Sequence, residues 1–203
     1  EVLLEENFTV SGSDNKESAL TDHLEKAGAQ IFYGQKASNI IDSIDVVVYT
    51  AAIHKDNEEY QAAVQKGLPM LTRAELLGQL MTNYDIPIAV SGTHGEYTNS
   101  FLSFFPKISV ILNIDEDHLD FFKDLEDIRN SFHRFAKLLP KDGTLVINGD
   151  IDRLDEITGD LDCKIVTYGT NPSATYHAAN VTHDELGEAS FDLVKKLRKL
   201  FVY

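Results

Sequence analysis

Residues 88–95, Ile-Ala-Val-Ser-Gly-Thr-His-Gly, decide the fold of this chain. The first three form an apolar run typical of a buried β-strand, and this run leads directly into a turn bounded by two glycines. Glycines let backbone N–H groups come close to a phosphate, so the turn lies where a phosphate-binding loop is expected. The candidate cofactor-binding residues in this turn are Gly92, Thr93, His94 and Gly95.

The residues after this turn do not complete the phosphate-loop pattern. That pattern continues with Lys and then Ser or Thr, which reach the terminal phosphates and hold magnesium. Here Glu96, Tyr97 and Thr98 follow, and a carboxylate in that place repels a phosphate. From these residues alone, an ordinary glycine turn therefore remains an open alternative.

Apolar strands alternate with helical patterns on both sides of the turn. Upstream, we predict strands at 8–11, 30–33, 45–49 and 68–71, and helices at 19–27, 58–66 and 73–81. Downstream, we predict strands at 108–112, 145–147 and 164–168 and a β-rich tail at 175–194. The run Val46-Val47-Val48 predicts a strand that is buried on both faces. Strands that alternate with helices predict the α/β class with a parallel sheet.

The clearest helix of the chain follows strand 108–112. Its apolar residues recur at intervals of three and four positions, which is the period of a helix with one buried face. They are Leu125, Ile128, Phe132, Phe135 and Leu139. Asp124 is the predicted N-cap and Pro140 the predicted end. A short polar stretch at Asp85 separates two predicted domains, residues 1–85 and 86–203.

The composition excludes several classes of function. The chain has 203 residues, 43% of them hydrophobic, which is enough for one good core or two small ones. Lys and Arg number 18 against 33 Asp and Glu, so the formal net charge is −15, which disfavours nucleic acid and anionic membranes as partners. An acidic chain that handles nucleotides needs cations at the phosphates. A single cysteine and no apolar run of bilayer length lead us to expect a cytoplasmic protein.

An acidic cluster follows strand 108–112. Its members are Asp115, Glu116, Asp117, His118 and Asp120. Open α/β sheets bind ligands at the carboxyl ends of their strands, and oxygen ligands with one imidazole suit magnesium or manganese. Not all five can be ligands, and a solvated acidic loop before the next helix is the alternative.

Four other places in the sequence carry residues that could take part in chemistry. Asp14 closes an early strand, where it is either the ribose-binding acid of a Rossmann-like domain or a helix N-cap. The stretch Thr50-Ala51-Ala52-Ile53-His54 either lets a ligand lie close to small residues or simply packs. Cys163 is predicted to be a buried packing residue rather than a nucleophile. His133 is predicted to face solvent.

Taken together, these stretches resemble the Mur ligase family. The resemblance is carried by residues 10–14, 47–53, 73–77, 90–95, 113–122 and 139–143, and it covers residues 1–194. The Gly-Thr-His-Gly and Asp-His-Leu-Asp blocks, in that order, are specific. The resemblance implies a Rossmann-like, UDP-sugar-binding parallel-sheet domain and then a P-loop-type central ATPase domain. We expect the C-terminal domain of the family to be largely absent. Residues 195–203 belong either to the central domain or to that C-terminal domain.

The resemblance also implies an activity and a site. The activity is ATP-dependent ligation of L-alanine to UDP-N-acetylmuramate through an acyl phosphate, in peptidoglycan synthesis, with magnesium as the metal. His118 would be the catalytic residue and magnesium ligand, and Asn113 would join Gly92, Thr93, His94 and Gly95 at the nucleotide. The residues expected to border the UDP-sugar are Asp14, Thr50, Ala51, Ala52 and His54. The expected protein is a monomer or weak dimer that binds neither nucleic acid nor membrane.

One departure from the family pattern bears on catalysis. In the family, Gly-Thr-His-Gly continues into Lys-Thr-Thr, a helix and a strand, and a glutamate block comes later. Here residues 96–101 look like the end of that later block, so Glu96 does not inherit the role of the metal-binding glutamate. Either the chain lacks the catalytic lysine and is an inactive homologue that binds UDP-sugar or nucleotide, or the sequence omits a segment between Gly95 and Glu96. We favour the omission, because removing a helix and a central strand would break the sheet. A nicotinamide-dependent oxidoreductase is allowed by the strand and helix alternation alone.

Overall fold

The computed structural model of the chain describes residues 1–50, 52–92, 99–116 and 122–196. By its internal contacts the chain divides into two units, Glu1–Arg73 and Ala74–Tyr203. This division falls between residues 73 and 74 and rests on contacts alone. The predicted domain boundary between residues 85 and 86 therefore stays a prediction. Both units contain parallel strands joined through helices, which confirms the predicted α/β class.

The first unit contains two small parallel sheets. Its elements are α1 (Val2–Glu5), β1 (Ser11–Asp14), α2 (Ala19–Lys26), β2 (Gln30–Tyr33), β3 (Val47–Tyr49), α3 (Glu58–Gln65) and β4 (Met70–Thr72). β1 pairs with β2, and β3 pairs with β4. Ile40, Ala62 and Ala63 form its small buried core. Helix α2 ends before Gly28, whose φ of +105° suits a residue without a side chain.

Two predictions in this unit are wrong. The first strand spans residues 11–14 rather than 8–11, and Phe8 is 60% exposed. The second error concerns the valine run at β3, because Val48 in the strand and Val46 just before it are 41% and 44% exposed instead of buried. A continuous apolar run predicts burial on both faces only for a central strand of a covered sheet, and among the described residues β3 pairs with β4 alone.

The second unit is built on a six-stranded sheet. Its elements are α4 (Arg73–Met81), β5 (Ile88–Ser91), β6 (Ile108–Ile111), α5 (Leu125–Ala136), β7 (Thr144–Asn148), α6 (Leu154–Thr158), β8 (Lys164–Gly169), β9 (Tyr176–His183) and β10 (Ala189–Lys195). The first residue of α4, Arg73, is counted with the first unit. The strand order is β10-β9-β8-β7-β6-β5, with β5 to β9 parallel and β10 antiparallel to β9. The short helix α6 was not predicted.

Helix α5 covers one face of this sheet. Asp124 is its N-cap, as predicted, and accepts a hydrogen bond of 3.0 Å from the backbone N–H of Asp127. The helix ends at Ala136 rather than at Pro140. Leu139 still packs against the core, but it lies in the turn that follows the helix. The buried residues of the helix and of the strands beneath it form one cluster. Its members include Phe101, Ile111, Ile128, Phe132, Phe135, Leu145 and Ile147.

The parallel order places the carboxyl ends of β5, β6, β7 and β8 along one edge of the sheet. Open α/β sheets bind their ligands along this edge. Within the described residues, no helix has the length and hydropathy to span a bilayer.

Candidate functional site

Gly92 and Asn113 meet at the carboxyl ends of β5 and β6. The two strands pair in parallel from Ile88 to Ser91, so the residues that follow each strand are neighbours. A Cβ atom on Gly92 would lie 2.5 Å from Oδ1 of Asn113 and 3.4 Å from Cβ of Leu112. Glycine is therefore required here by close approach, and the structure brings together two of the predicted cofactor-binding residues.

Asn113 is in turn tied to the acidic stretch that follows it. Its Nδ2 donates a hydrogen bond of 2.5 Å to Oδ2 of Asp115. Ile114, between them, is 8% exposed and belongs to the core cluster, so it anchors this part of the loop. The start of the predicted acidic cluster therefore lies beside Gly92, at the carboxyl end of the sheet.

A cavity of about 380 Å³ opens beside this loop, between β6, β7 and the start of α5. Its polar lining residues are Asn113, Asp115, Glu116, Arg129, Asn148, Asp150 and Asp152. Arg129 is the buried cation in this lining, with 7% of its surface exposed and its guanidinium 3.2 Å from Oδ2 of Asp152. Its Nε has no hydrogen-bond partner among the described residues. Four carboxylates against one guanidinium make the cavity acidic, which favours cations in any complex with a phosphate.

Asp150 connects the carboxyl ends of β7 and β8. Its carboxylate accepts hydrogen bonds from the backbone N–H and the hydroxyl of Thr170, at 2.7 and 2.9 Å, and from the backbone N–H of Asn171 at 3.2 Å. These donors favour the charged carboxylate, so the pKa of Asp150 lies below its usual value of 3.8. The hydroxyl of Tyr168 donates to the carbonyl oxygen of Leu112 at 3.3 Å and ties β8 to the end of β6.

We expect Asp150→Asn to lower the melting temperature at pH 7 by about 2 to 4 °C, the effect of one charge-assisted hydrogen bond. Because the folded pKa lies below the unfolded value, this contribution exists above pH 3.8 and disappears as the pH falls through the lowered pKa. Thermal melts of both proteins between pH 3 and pH 7 should therefore converge at the acid end. Asp56→Asn, at an exposed site in the first unit, is the control, and an unchanged difference at low pH would contradict this account.

We also expect Gly92→Ala to lower the free energy of unfolding by about 1 to 2 kcal/mol, because the new methyl group displaces the Asn113 side chain. A double-mutant cycle with Asn113→Ala tests this cause directly. The cost of Gly92→Ala should shrink by at least about 0.5 kcal/mol in the Asn113→Ala background, since the obstructing atom is gone. Additive costs in denaturant titrations would show that the two residues do not interact.

The predicted sugar site lies in the first unit, at the ends of β1 and β3. Asp14 ends β1, is exposed, and accepts a hydrogen bond of 3.1 Å from the backbone N–H of Lys16. It is not a helix cap, because Ser18 caps α2 through a capping box with Thr21. Thr50 follows β3, and its carbonyl oxygen accepts a bond of 3.1 Å from the N–H of Ile53.

The start of α3 joins these two places. Glu59 accepts hydrogen bonds of 2.7 Å from the hydroxyl of Ser13 and from Nδ2 of Asn39. Asn57, the N-cap of α3, donates to Oε1 of Gln35 at 2.5 Å. The start of α3, which follows the stretch with exposed Ala52 and His54, therefore contacts Ser13, the neighbour of Asp14.

Several predicted site residues lie outside the described residues. They are Ala51, Thr93, His94, Gly95, Asp117, His118 and Asp120. Within the part of the chain that is described, no three His, Cys, Asp or Glu side chains are grouped to hold a metal ion. The magnesium site predicted at His118 therefore stays a prediction.

Sequence reasoning missed Arg129, Asn148 and Asp150 as cavity residues. Asn148 and Asp150 could have been found, because they follow an apolar strand as Asn113 and Asp115 do. Arg129 carries no such signal. Cys163 packs against the core as predicted but is only partly buried, and this burial raises the pKa of its thiol. His133, predicted to face solvent, is part-buried instead, with Nδ1 3.1 Å from the carbonyl oxygen of Ile157.

Comparison with known proteins identifies the family. Residues 1–85 match the family described as "Mur ligase family, catalytic domain", and residues 79–200 match the "Mur ligase middle domain". The chain belongs to the Mur ligase family. The second match covers the cavity-lining residues of the six-stranded sheet, so the candidate site lies within the middle domain of a Mur ligase.

Two curated relatives of this Mur ligase chain carry the same name, UDP-N-acetylmuramate--L-alanine ligase. The protein of Lachnospira eligens is 44% identical over 241 positions, which cover 95% of this chain and 52% of the relative. That of Agathobacter rectalis is 44% identical over 248 positions, covering 99% and 54%. The chain thus spans about half the length of these relatives.

A solved structure agrees with the fold of this Mur ligase chain. The UDP-N-acetylmuramate-alanine ligase of Thermotoga maritima superposes with a TM-score of 0.72 at 20% identity, over 96% of this chain and 54% of that one. At this identity the likeness concerns the fold, and it supports the Rossmann-like and P-loop ATPase architecture.

Proposed function

We propose that this chain forms the UDP-sugar-binding and ATP-binding parts of a ligase that joins UDP-N-acetylmuramate to L-alanine in peptidoglycan synthesis. The observation that carries the proposal is the 44% identity to relatives of that name over nearly the whole chain. The close approach of Asn113 to Gly92 supports it, because two predicted nucleotide-binding residues meet at the carboxyl end of a parallel strand, where phosphates bind. We place the protein in the cytoplasm, as a monomer or weak dimer.

In this proposal, the edge at Gly92, Thr93, His94 and Gly95 holds the phosphates of ATP through backbone N–H groups. Asn113 orients that edge, since its amide lies against Gly92 and its Nδ2 is held by Asp115. The acidic cavity suits magnesium beside the phosphates, because its carboxylates would otherwise repel them. His118 is the proposed magnesium ligand, and the metal supplies charge neutralisation at the transferred phosphate.

The reaction requires two steps that need positioning more than a protein nucleophile. The carboxylate of the sugar attacks the γ-phosphorus of ATP, which gives an acyl phosphate and ADP. The amine of L-alanine then attacks the acyl carbon and phosphate leaves, so an amide bond replaces the mixed anhydride. Asp14, Thr50, Ala51, Ala52 and His54 hold the UDP-sugar in the first unit.

A second candidate function is a homologue that binds UDP-sugar or nucleotide without catalysis. The observation that favours it is the sequence after Gly95, where Glu96 stands in place of a lysine. A phosphate loop without lysine lacks the cation that reaches the terminal phosphates.

A ligation assay tests whether the residues of this chain support the proposed reaction. We would compare the chain with a chimera. In the chimera, the Agathobacter rectalis relative supplies the internal positions that residues 1–203 lack and the rest of its own length. The readouts are the mass of the UDP-linked product and the binding of each substrate by calorimetry. We expect the chimera to form the alanyl product and the chain alone to bind the UDP-sugar.

His118→Ala in the chimera should lower the turnover number by about 10³-fold, the usual loss when charge stabilisation at a transferred group is removed. His183→Ala, at an exposed position of β9, is the matched control and should leave turnover unchanged. Unchanged turnover in His118→Ala would overturn the assignment of that residue. A chimera that binds both UDP-sugar and ATP but forms no product would favour the inactive homologue.

A further inference from the structure

Glu59 joins three segments of the first unit and is not among the predicted site residues. It lies in the first turn of α3, where its backbone N–H donates a hydrogen bond of 2.9 Å to the N-cap Asn57. Its Oε2 accepts a hydrogen bond of 2.7 Å from the hydroxyl of Ser13 in β1. Its Oε1 accepts one of 2.7 Å from Nδ2 of Asn39, in the short helical turn after β2. Both contacts are part-buried, so a single carboxylate ties α3 to β1 and to the segment after β2.

The segments that Glu59 joins also hold the backbone of Asp14. The N–H of Gly34, directly after β2, donates a hydrogen bond of 2.8 Å to the carbonyl oxygen of Asp14. The carbonyl oxygen of Gly34 accepts one of 2.9 Å from Nδ2 of Asn39. Glu59 is therefore connected to Asp14 along two routes. One runs through Ser13, the preceding residue, and the other through Asn39 and Gly34.

The charge of Glu59 fixes the direction of these hydrogen bonds. An ionised carboxylate only accepts, so the single hydroxyl hydrogen of Ser13 points at Glu59. Nδ2 of Asn39 has two hydrogens and uses both, one for Glu59 and one for the carbonyl oxygen of Gly34. The atoms left for a ligand are the hydroxyl oxygen of Ser13, Oδ1 of Asn39 and the exposed carboxylate of Asp14. All of them can only accept.

A set of acceptors selects the part of a ligand that carries hydrogen-bond donors. β1 and β2 are parallel, and ligands of open α/β sheets bind at the carboxyl ends of the strands. A UDP-sugar has donors in its hydroxyl and N–H groups. Its diphosphate has only acceptors, and carboxylates repel it. The ends of β1 and β2 therefore suit the donor groups of a UDP-sugar and disfavour its diphosphate.

We infer that Glu59 is a positioning residue for the UDP-sugar and acts without touching it. It holds the hydroxyl of Ser13 and the amide of Asn39 in the direction that accepts donor groups of the ligand, and through them it fixes the end of β1. The inference rests on the proposed function, because it requires that the first unit binds a UDP-sugar.

Glu59→Gln tests this role, because it keeps the size of the side chain and replaces one acceptor oxygen with a donor NH₂ group. That group faces either Nδ2 of Asn39, where two donors meet, or Ser13, whose hydroxyl then turns its hydrogen toward the ligand. In calorimetry with the whole chain, we expect the Kd of UDP-N-acetylmuramate to rise by at least about tenfold, the usual effect of one charge-assisted hydrogen bond. Glu58→Gln removes the same charge from the same turn of α3. It is the matched control and should leave the Kd unchanged.

A double-mutant cycle separates positioning from a general loss of structure. Ser13→Ala removes the hydroxyl that Glu59 orients, so the further rise in Kd caused by Glu59→Gln should shrink to less than about threefold in that background. Losses that simply add would show that Glu59→Gln only loosens the unit, and they would overturn the inference.

The sign of the change in Kd is equally decisive. An unchanged or lower Kd in Glu59→Gln would overturn the inference alone, because a site for the diphosphate gains when a negative charge is removed. If the chain bound no UDP-N-acetylmuramate before any substitution, the proposed function of the first unit would be wrong, and the inference with it.

Discussion

Phe132→Ala is expected to lower the free energy of unfolding of the second unit by about 3 to 5 kcal/mol. The ring is 1% exposed and lies in the layer between α5 and the sheet. Its centroid is 5.4 Å from that of Phe101, which itself lies 4.7 Å from Phe135. Removing the ring leaves a cavity that these neighbours cannot fill, because strands β6 and β7 hold the opposite wall. The loss is a large share of the total stability of an ordinary domain.

Guanidinium titration of the variant, followed by circular dichroism, measures this loss. Phe191→Ala is the matched control, because Phe191 is 55% exposed in β10 and its removal opens no cavity. The control should change stability by less than about 0.5 kcal/mol. A cost for Phe132→Ala no larger than that of the control would mean that α5 does not pack on the sheet in this way.

Gly78→Ala is expected to destabilise the second unit by about 3 kcal/mol, although alanine is the better helix former. Gly78 lies in α4, where its Cα faces the backbone at Ser103. A Cβ atom there would overlap the carbonyl oxygen of Ser103 and stand 2.9 Å from its carbonyl carbon. Because the obstacle is backbone, a side-chain rotation cannot relieve it. In an exposed helix the same change would stabilise by about 1 kcal/mol, so the sign of the effect tests the contact.

Gly12→Ala provides the comparison for this substitution. The nearest atom to a Cβ on Gly12 is Cδ1 of Ile31 at 4.0 Å, an ordinary contact. That variant should be neutral or slightly stabilised through the unfolded chain. If Gly78→Ala also proved neutral or stabilising in denaturant titrations, α4 could not approach Ser103 as closely as the structure shows.

Local patterns in the sequence determined the class and much of the secondary structure. The three- and four-residue spacing from Leu125 to Phe135, with Asp124 before it, specifies α5 because helix formation depends on neighbours within one turn. The strand at Ile88 was predictable for the same local reason, and with the glycines that follow it in the sequence it carried the resemblance to the Mur ligases. Asp14 was correctly placed at the end of a strand, but of its two predicted roles the N-cap is excluded, since Ser18 caps α2.

Only the tertiary structure decided which distant residues meet. Gly92 needs to be glycine because Asn113 lies against it, and that contact follows from the pairing of β5 with β6. Arg129 lines the acidic cavity because α5, which carries it, packs on the strands that supply Asn113 and Asn148. The exposure of Ile88 and Val90 likewise follows from strand order and from the side on which α5 packs. Periodicity along a chain records which side of an element is apolar, but not which element covers it, so the sequence by itself could not determine these contacts.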